Sequence, residues 1–286
     1  MAFTEQFFES ADGLSLYYRE YGVGNGGVPV LCMPGISRNS RDFEDIAEHL
    51  SSQYRVIAVD FRGRGHSEYD PNWQNYHPQT YADDMLRLLD KLAIDRVVLF
   101  GTSLGGLVST IIARQHGSRV AAAILNDIGP EIGEAGLARI KSYIGRLPPV
   151  ADWDEAVAQA KEVYGLAWRD LSDDEWLRLA KRGYCEDDDG VPRLDLDPNI
   201  GEAARTVGTE LEDPWVLFSG LRDKPAMVIH GELSDILTDA IVARMIERKP
   251  DLIHVKVANR GHVPLLDEPE CLDAIDTFLK QVNDDA

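Results

Sequence analysis

Positive charge is scarce in this chain: 29 Lys and Arg stand against 49 Asp and Glu, a formal net charge of −20 over 286 residues. Nucleic acids and anionic membrane surfaces both demand clustered Lys and Arg, so neither is expected as a partner. Cysteine is equally sparse. Cys32, Cys185 and Cys271 are far apart, odd in number and without CxxC or ligand-like spacing, so they read as free thiols, with no disulfide framework or metal site expected. No apolar run approaches membrane-spanning length. The start, Met1-Ala2-Phe3-Thr4-Glu5-Gln6, lacks the basic residues and apolar core of a signal peptide, which makes the cytoplasm the expected location. At 44% hydrophobic residues the chain has enough apolar material for one large core, or a core with an inserted module. Its oligomeric state is left open by composition.

Alternation organises most of the chain. Asp12-Gly13 separates two strand-like runs, an opening antiparallel hairpin. Apolar runs then follow at residues 28–33, 54–59, 97–100, 120–125, 226–230 and 252–257, mainly buried strands by pattern. Helical stretches at 42–50, 78–92, 104–116, 239–248 and 269–282 separate most of them, which predicts an α/β fold with a mostly parallel sheet flanked by helices. Between Gly129 and about Asp223 the rhythm breaks into helical pattern without a convincing buried strand. The expected division is a core of residues 1–129 and 224–286, with a helical cap, or lid, at 130–223 over the carboxyl edge of the sheet.

The chemistry concentrates at Gly101-Thr102-Ser103-Leu104-Gly105-Gly106, between a strand and a helix. A serine on that sharp turn adopts a rarely populated backbone conformation, and glycines two before and two after avoid a clash. Its hydroxyl then stands at a helix N-terminus, where free N–H groups favour the negative charge of acyl transfer. Such a nucleophile needs a base and an orienting acid from loops at the same edge. His262, in Asn259-Arg260-Gly261-His262-Val263-Pro264 after the last strand, fits the base best; His230, its rival, reads as the buried end of a strand. Asp235, beyond the preceding strand, gives the order serine, acid, histidine and is the preferred acid. Asp127 is the alternative, with a bracing role at the cap entry as its other reading. The oxyanion hole is expected from the backbone N–H groups of Leu104 and of Ile36, in Pro34-Gly35-Ile36.

Three motifs are set aside. Gly22-Val23-Gly24-Asn25-Gly26-Gly27 matches a dinucleotide fingerprint but leads into a strand. Glu186-Asp187-Asp188-Asp189-Gly190 lacks carboxylates at the aligned first and twelfth positions of a calcium loop. Gly65-His66-Ser67 is half an elbow in what reads as a structured turn.

Taken together, Pro34-Gly35, Asp60 through Ser67, the elbow around Ser103, Asp235, and Gly261-His262-Val263-Pro264 followed by Glu268-Pro269 make the chain resemble the α/β-hydrolase superfamily, specifically its lid-bearing bacterial members. The resemblance covers nearly the whole chain. It implies the α/β-hydrolase fold, with eight strands, the first two forming the hairpin, and a cap inserted after the sixth. Many relatives carry His-Gly where this chain has Pro34-Gly35, but the donor there is a backbone N–H. In epoxide hydrolases and haloalkane dehalogenases the nucleophile is aspartate, so Ser103 excludes those activities. Esterases, lactonases including enol-lactonases, and carbon–carbon hydrolases of ring-cleavage products resemble it about equally. The expectation is a cofactor-independent serine hydrolase, needing no metal, that cleaves a small carboxylic ester or lactone with an apolar portion. The alternatives are a carbon–carbon bond hydrolase, an acyltransferase, or a non-catalytic small-molecule receptor. The aromatic residues of the insertion, Trp153, Trp168, Trp176, Trp215, Tyr143, Tyr164 and Phe218, mostly pack its own small core, with at least one expected to face the pocket.

Overall fold

A computed structural model describes residues 3–206 and 212–284. The opening hairpin, β1 (Phe3–Glu9) and β2 (Ser15–Tyr21), pairs through Phe3↔Tyr21 to Glu9↔Ser15 and continues antiparallel onto β4 (Val56–Val59). From there all pairings in the main sheet are parallel, through β3 (Val30–Met33), β5 (Val97–Thr102), β6 (Val120–Asn126), β9 (Ala226–Gly231) and β10 (Ile253–Val257). The order across the eight strands is β1-β2-β4-β3-β5-β6-β9-β10. Central strands are apolar along their length because helices cover both faces. β10, expected to be buried, is an edge strand in which only Val257 is fully buried.

Two cores result. Against one face pack α1 (Glu44–Leu50) and α10 (Pro269–Asp284), through Ile46, Leu50, Ile275 and Phe278. Against the other pack α2 (Pro78–Lys91), α3 (Leu104–Gln115) and α9 (Asp239–Arg248), through Met85, Ile111 and Met245. Burial of these side chains is the main stabilising contribution, about 1.5–3 kcal/mol for each fully buried aliphatic or aromatic group.

Register decides where the loops emerge. Thr102 pairs with Asn126, Asn126 with Ile229, and Gly231 with Val257, so β5, β6, β9 and β10 end at a common edge. The residues after those ends, Ser103, Asp127, Asp235 and His262, are therefore delivered to one side of the sheet.

The interval between β6 and β9 holds α4 (Glu134–Tyr143), α5 (Trp153–Tyr164), α6 (Asp173–Gly183), α7 (Asn199–Thr206) and α8 (Pro214–Phe218). It also holds a small hairpin of β7 (Tyr184–Glu186) and β8 (Pro192–Leu194), where no strand was expected; the acidic turn at Asp187–Gly190 is its tip. Part of the expected cap, residues 207–211, lies outside the described residues. Trp168, Trp176, Leu179 and Ala160 form a core of their own, joined by Val263 and Leu265 of the loop that carries His262.

Candidate active site

The turn from β5 into α3 puts Ser103 at φ +50° and ψ −112°. Only glycine fits around it. A Cβ on Gly101 would run into the Gly105 carbonyl, one on Gly105 into the Met33 carbonyl, and one on Gly106 into the Ile128 side chain. Ser103 N–H donates to Asn126 O at 3.0 Å and Gly105 N–H to Pro34 O at 3.1 Å, which lashes the turn to strands on both sides.

His262 Nε2 lies 2.9 Å from Ser103 Oγ, and His262 Nδ1 lies 2.8 Å from Asp127 Oδ2. An ionised carboxylate only accepts, so Nδ1 carries the proton and Nε2 presents its lone pair to the serine hydroxyl. Asp127 is fully buried. Its Oδ1 accepts from Gly231 N–H at 2.8 Å, and its Oδ2 accepts from the Ser234 hydroxyl at 2.5 Å as well as from His262. These donors offset the cost of burying the charge and fix the carboxylate against the imidazole.

The expectation that Asp235 serves the imidazole is corrected. Its two oxygens accept from Arg139 Nε at 2.8 Å and Nη2 at 2.7 Å. The physical reason is local. Gly133 N–H donates to Ile236 O at 2.8 Å, drawing the loop after β9 toward α4, and α4 presents Arg139 there. Arg139 keeps the Asp235 carboxyl below the usual carboxylate range, with a smaller influence from His262. Asp127 instead follows β6 directly, at φ +55°, with its N–H held by Ile229 O at 2.7 Å. That conformation turns its side chain into the catalytic edge rather than toward the cap entry.

The expected oxyanion donors lie beside the serine. Among the described residues neither Leu104 N–H nor Ile36 N–H donates to a protein acceptor, as the first turn of a helix and an open loop allow. A Cβ on Gly35 would stand 3.8 Å from Ser103 Cβ, an ordinary contact, so the close approach belongs to the loop rather than to glycine itself. Buried Arg64 steadies that loop by donating from Nε to Ile36 O at 2.7 Å. His230 is buried next to His254, 3.3 Å away, and bonds neither Ser103 nor Asp127.

A narrow chamber adjoins Ser103 and His262, walled by Ile36, Arg38, Tyr143, Tyr164 and Trp168. Trp168 and both tyrosines come from the inserted segment, so aromatic rings of that segment do face the pocket. Trp168 Nε1–H donates to Val263 O at 2.7 Å and Gly261 N–H to Ala167 O at 2.9 Å, coupling the segment to the histidine loop. Trp153 and Trp215 instead bond Glu186 and Glu131. Sequence reasoning missed Ser234, Arg139 and Arg38. Their partners lie far along the chain, except Asp42, and no local pattern announces such pairings.

A serine on a strand-to-helix elbow, with a histidine and a carboxylate converging on it at the edge of this eight-stranded sheet, defines the class of α/β hydrolases. The chain belongs to the alpha/beta hydrolase fold family, whose model matches residues 28–269, and it is a hydrolase. It is 30% identical over 260 residues to 3-hydroxybutyrate-oligomer hydrolase of Cupriavidus necator, covering 88% of each chain. It is also 30% identical over 271 residues to 2-(acetamidomethylene)succinate hydrolase of Mesorhizobium japonicum, covering 93% of this chain and 92% of that one. The crystal structure of an α/β hydrolase from Novosphingobium aromaticivorans superposes with a TM-score of 0.93 at 39% identity, covering 98% and 99% of the two chains.

Proposed function

We propose that this chain is a serine hydrolase that cleaves a small carboxylic ester or lactone through an acyl-enzyme. The observation that carries this reading is the continuous hydrogen-bonded chain from Ser103 through His262 to Asp127. His262 takes the Ser103 proton as the hydroxyl attacks the carbonyl carbon, and Asp127 stabilises the imidazolium that forms. The Leu104 and Ile36 N–H groups stabilise the oxyanion. Protonated His262 then gives its proton to the leaving alkoxide. A water activated by the same imidazole attacks the acyl carbon, releasing the acid and restoring Ser103.

Two features support an ester with an apolar portion. Oligomers of a hydroxy acid, the compounds for which one relative is named, are joined through carboxylic esters. Beside the oxyanion loop runs an apolar cleft lined by Leu104, Leu107, Leu137 and Ile140, suited to a hydrocarbon chain. The helices of the inserted segment act in this reading as a lid over the chamber.

Ser103→Ala is expected to lower turnover of p-nitrophenyl butyrate at least about a thousandfold with an unchanged thermal midpoint, and to abolish labelling by a phosphonate. A folded variant that keeps most of its activity would overturn the serine mechanism.

A further inference from the structure

We propose that Arg38 recognises an anionic group of the substrate, so that the preferred ester carries a free carboxylate on the chain beyond its scissile carbonyl. This rests on the Ser103 reading above and narrows its substrate class.

Arg38 stands two residues after the oxyanion donor Ile36 and lines both the Ser103 chamber and a second chamber that continues from it under α5 and α6. Its side chain is only 12% exposed. Asp42 takes one edge of the guanidinium, with Nε–Oδ2 at 2.8 Å and Nη2–Oδ1 at 2.6 Å. Nη2 also points to Leu179 O at 3.5 Å. Nη1 is different. Among the described residues it donates to no protein acceptor, and it is not one of the sealed unpartnered atoms of the interior. It projects beside Gly183, where a Cβ would come within 2.8 Å of it.

Glycine at the end of α6 therefore leaves the room in which Nη1 sits. Around it the wall supplies neutral donors. Tyr164 OH lies 3.2 Å from Ser37 Oγ, and burial keeps the Tyr143 phenol protonated by pushing its pKa above the ordinary value. The rest of the wall is mainly apolar, from Leu147, Val163, Leu194 and Leu196, and the polar ends of Gln159 and Tyr184 there bond each other, Tyr184 OH donating to Gln159 Oε1 at 2.5 Å. A fixed guanidinium with an open edge in such surroundings is a costly group to leave without an acceptor, and a carboxylate supplies charge-assisted hydrogen bonds there. Because Asp42 sits on the opposite edge, it orients the guanidinium without blocking the open one. The nearness of Ile36 and Arg38 in the chain limits the spacer between carbonyl and carboxylate to a few carbons, as in a dicarboxylic half-ester.

The test compares 4-nitrophenyl hydrogen adipate with its methyl ester, which differ in the distal charge and one methyl group. Wild-type kcat/KM is expected to be at least about tenfold higher for the free acid, carried mainly by KM, and the ratio is expected to fall toward one in Arg38→Gln. Gly183→Ala, whose methyl group displaces Nη1, is expected to lower the ratio too, and serves if Arg38→Gln does not fold. A wild-type ratio near one, or a ratio unchanged in a folded variant, overturns the proposal. Phosphonate labelling of Ser103 on the same samples separates the two readings: labelling with a flat ratio sinks anion recognition alone. If Ser103 neither labels nor matters for turnover, calorimetric titration with adipate against hexane-1,6-diol still decides. Adipate binding weakened about tenfold by Arg38→Gln upholds the proposal, and binding that is absent or unchanged overturns it.

Discussion

Asp127 and Asp235 show how two carboxylates at one sheet edge acquire different work from their immediate neighbours. Asp127 is enclosed by Gly231 N–H, the Ser234 hydroxyl and His262, whereas Asp235 is taken up by Arg139 and is partly exposed. Amidation of Asp127 keeps its size but removes the acceptor that holds the imidazole tautomer. Asp127→Asn is therefore expected to lower kcat by on the order of 10⁴. Asp235→Asn leaves the Ser103–His262–Asp127 chain in place and frees Arg139, an ion pair worth about 1 kcal/mol or less at such exposure. A kcat change no larger than about fivefold is expected, with the loss appearing in the thermal midpoint instead. Steady-state kinetics and melting curves of both variants check this, and the reverse pattern would return the acid to Asp235.

At the scale of elements, the elbow is the unit that converts packing into chemistry. The β5–α3 turn passes so close to β3 that Gly105 abuts the Met33 carbonyl, and the same closeness brings the Pro34–Ile36 loop to Ser103. Gly105→Ala must push α3 away from β3. Overpacking of this kind typically costs ~1–3 kcal/mol, and here the displacement also moves Ser103 relative to Ile36. The variant is expected to melt lower and to react more slowly with a phosphonate than wild type. Equal labelling rates would show that the elbow tolerates a side chain. A second element, the turn from Asp60 to Ser67, is held from within: Asp60 accepts from Ser40 and His66 N–H groups, and Arg64 reaches from it to Ile36 O.

For the whole molecule, acidity gathers around one buried cation. Arg62 meets Asp12, Asp70 and Asp84 at 2.6–2.7 Å. Two of these acids are displaced in opposite directions. The bond from Arg62 holds the Asp12 carboxyl down at about 2, against 3.8 for a free side chain. Burial pushes Asp84 up to about 6 in spite of Arg62. The stability Asp12 contributes is complete above about 3.8 and lost as pH falls through about 2; that of Asp84 is complete below about 3.8 and lost as pH rises through about 6. Urea midpoints measured from pH 2 to 7 check the signs. The gap between wild type and Asp12→Asn is expected to widen as pH rises from 2 to 4, and the gap to Asp84→Asn to move against wild type from 4 to 6. Parallel curves for either variant would contradict its assignment.

Much of this was legible along the chain because it is local. The glycines around Ser103, the strand and helix periods, and the loop placement of His262 are short-range requirements, and the α/β-hydrolase fold follows from them together with the motifs they share with that superfamily. The choice of acid was not legible. Asp127 and Asp235 each follow a core strand, and what separates them is the positive φ of Asp127, a backbone twist with no residue signature, and the docking of Arg139 from α4 on Asp235, a contact made across 96 residues of sequence. The open edge of Arg38 was hidden for the same reason. Its neighbour Asp42 is one helical turn away in sequence, but the space that leaves Nη1 free is made by Gly183 on α6, and only folding brings the two together. Local sterics and periodicity are written residue by residue, whereas the partner of a charged side chain depends on which distant element packs against it.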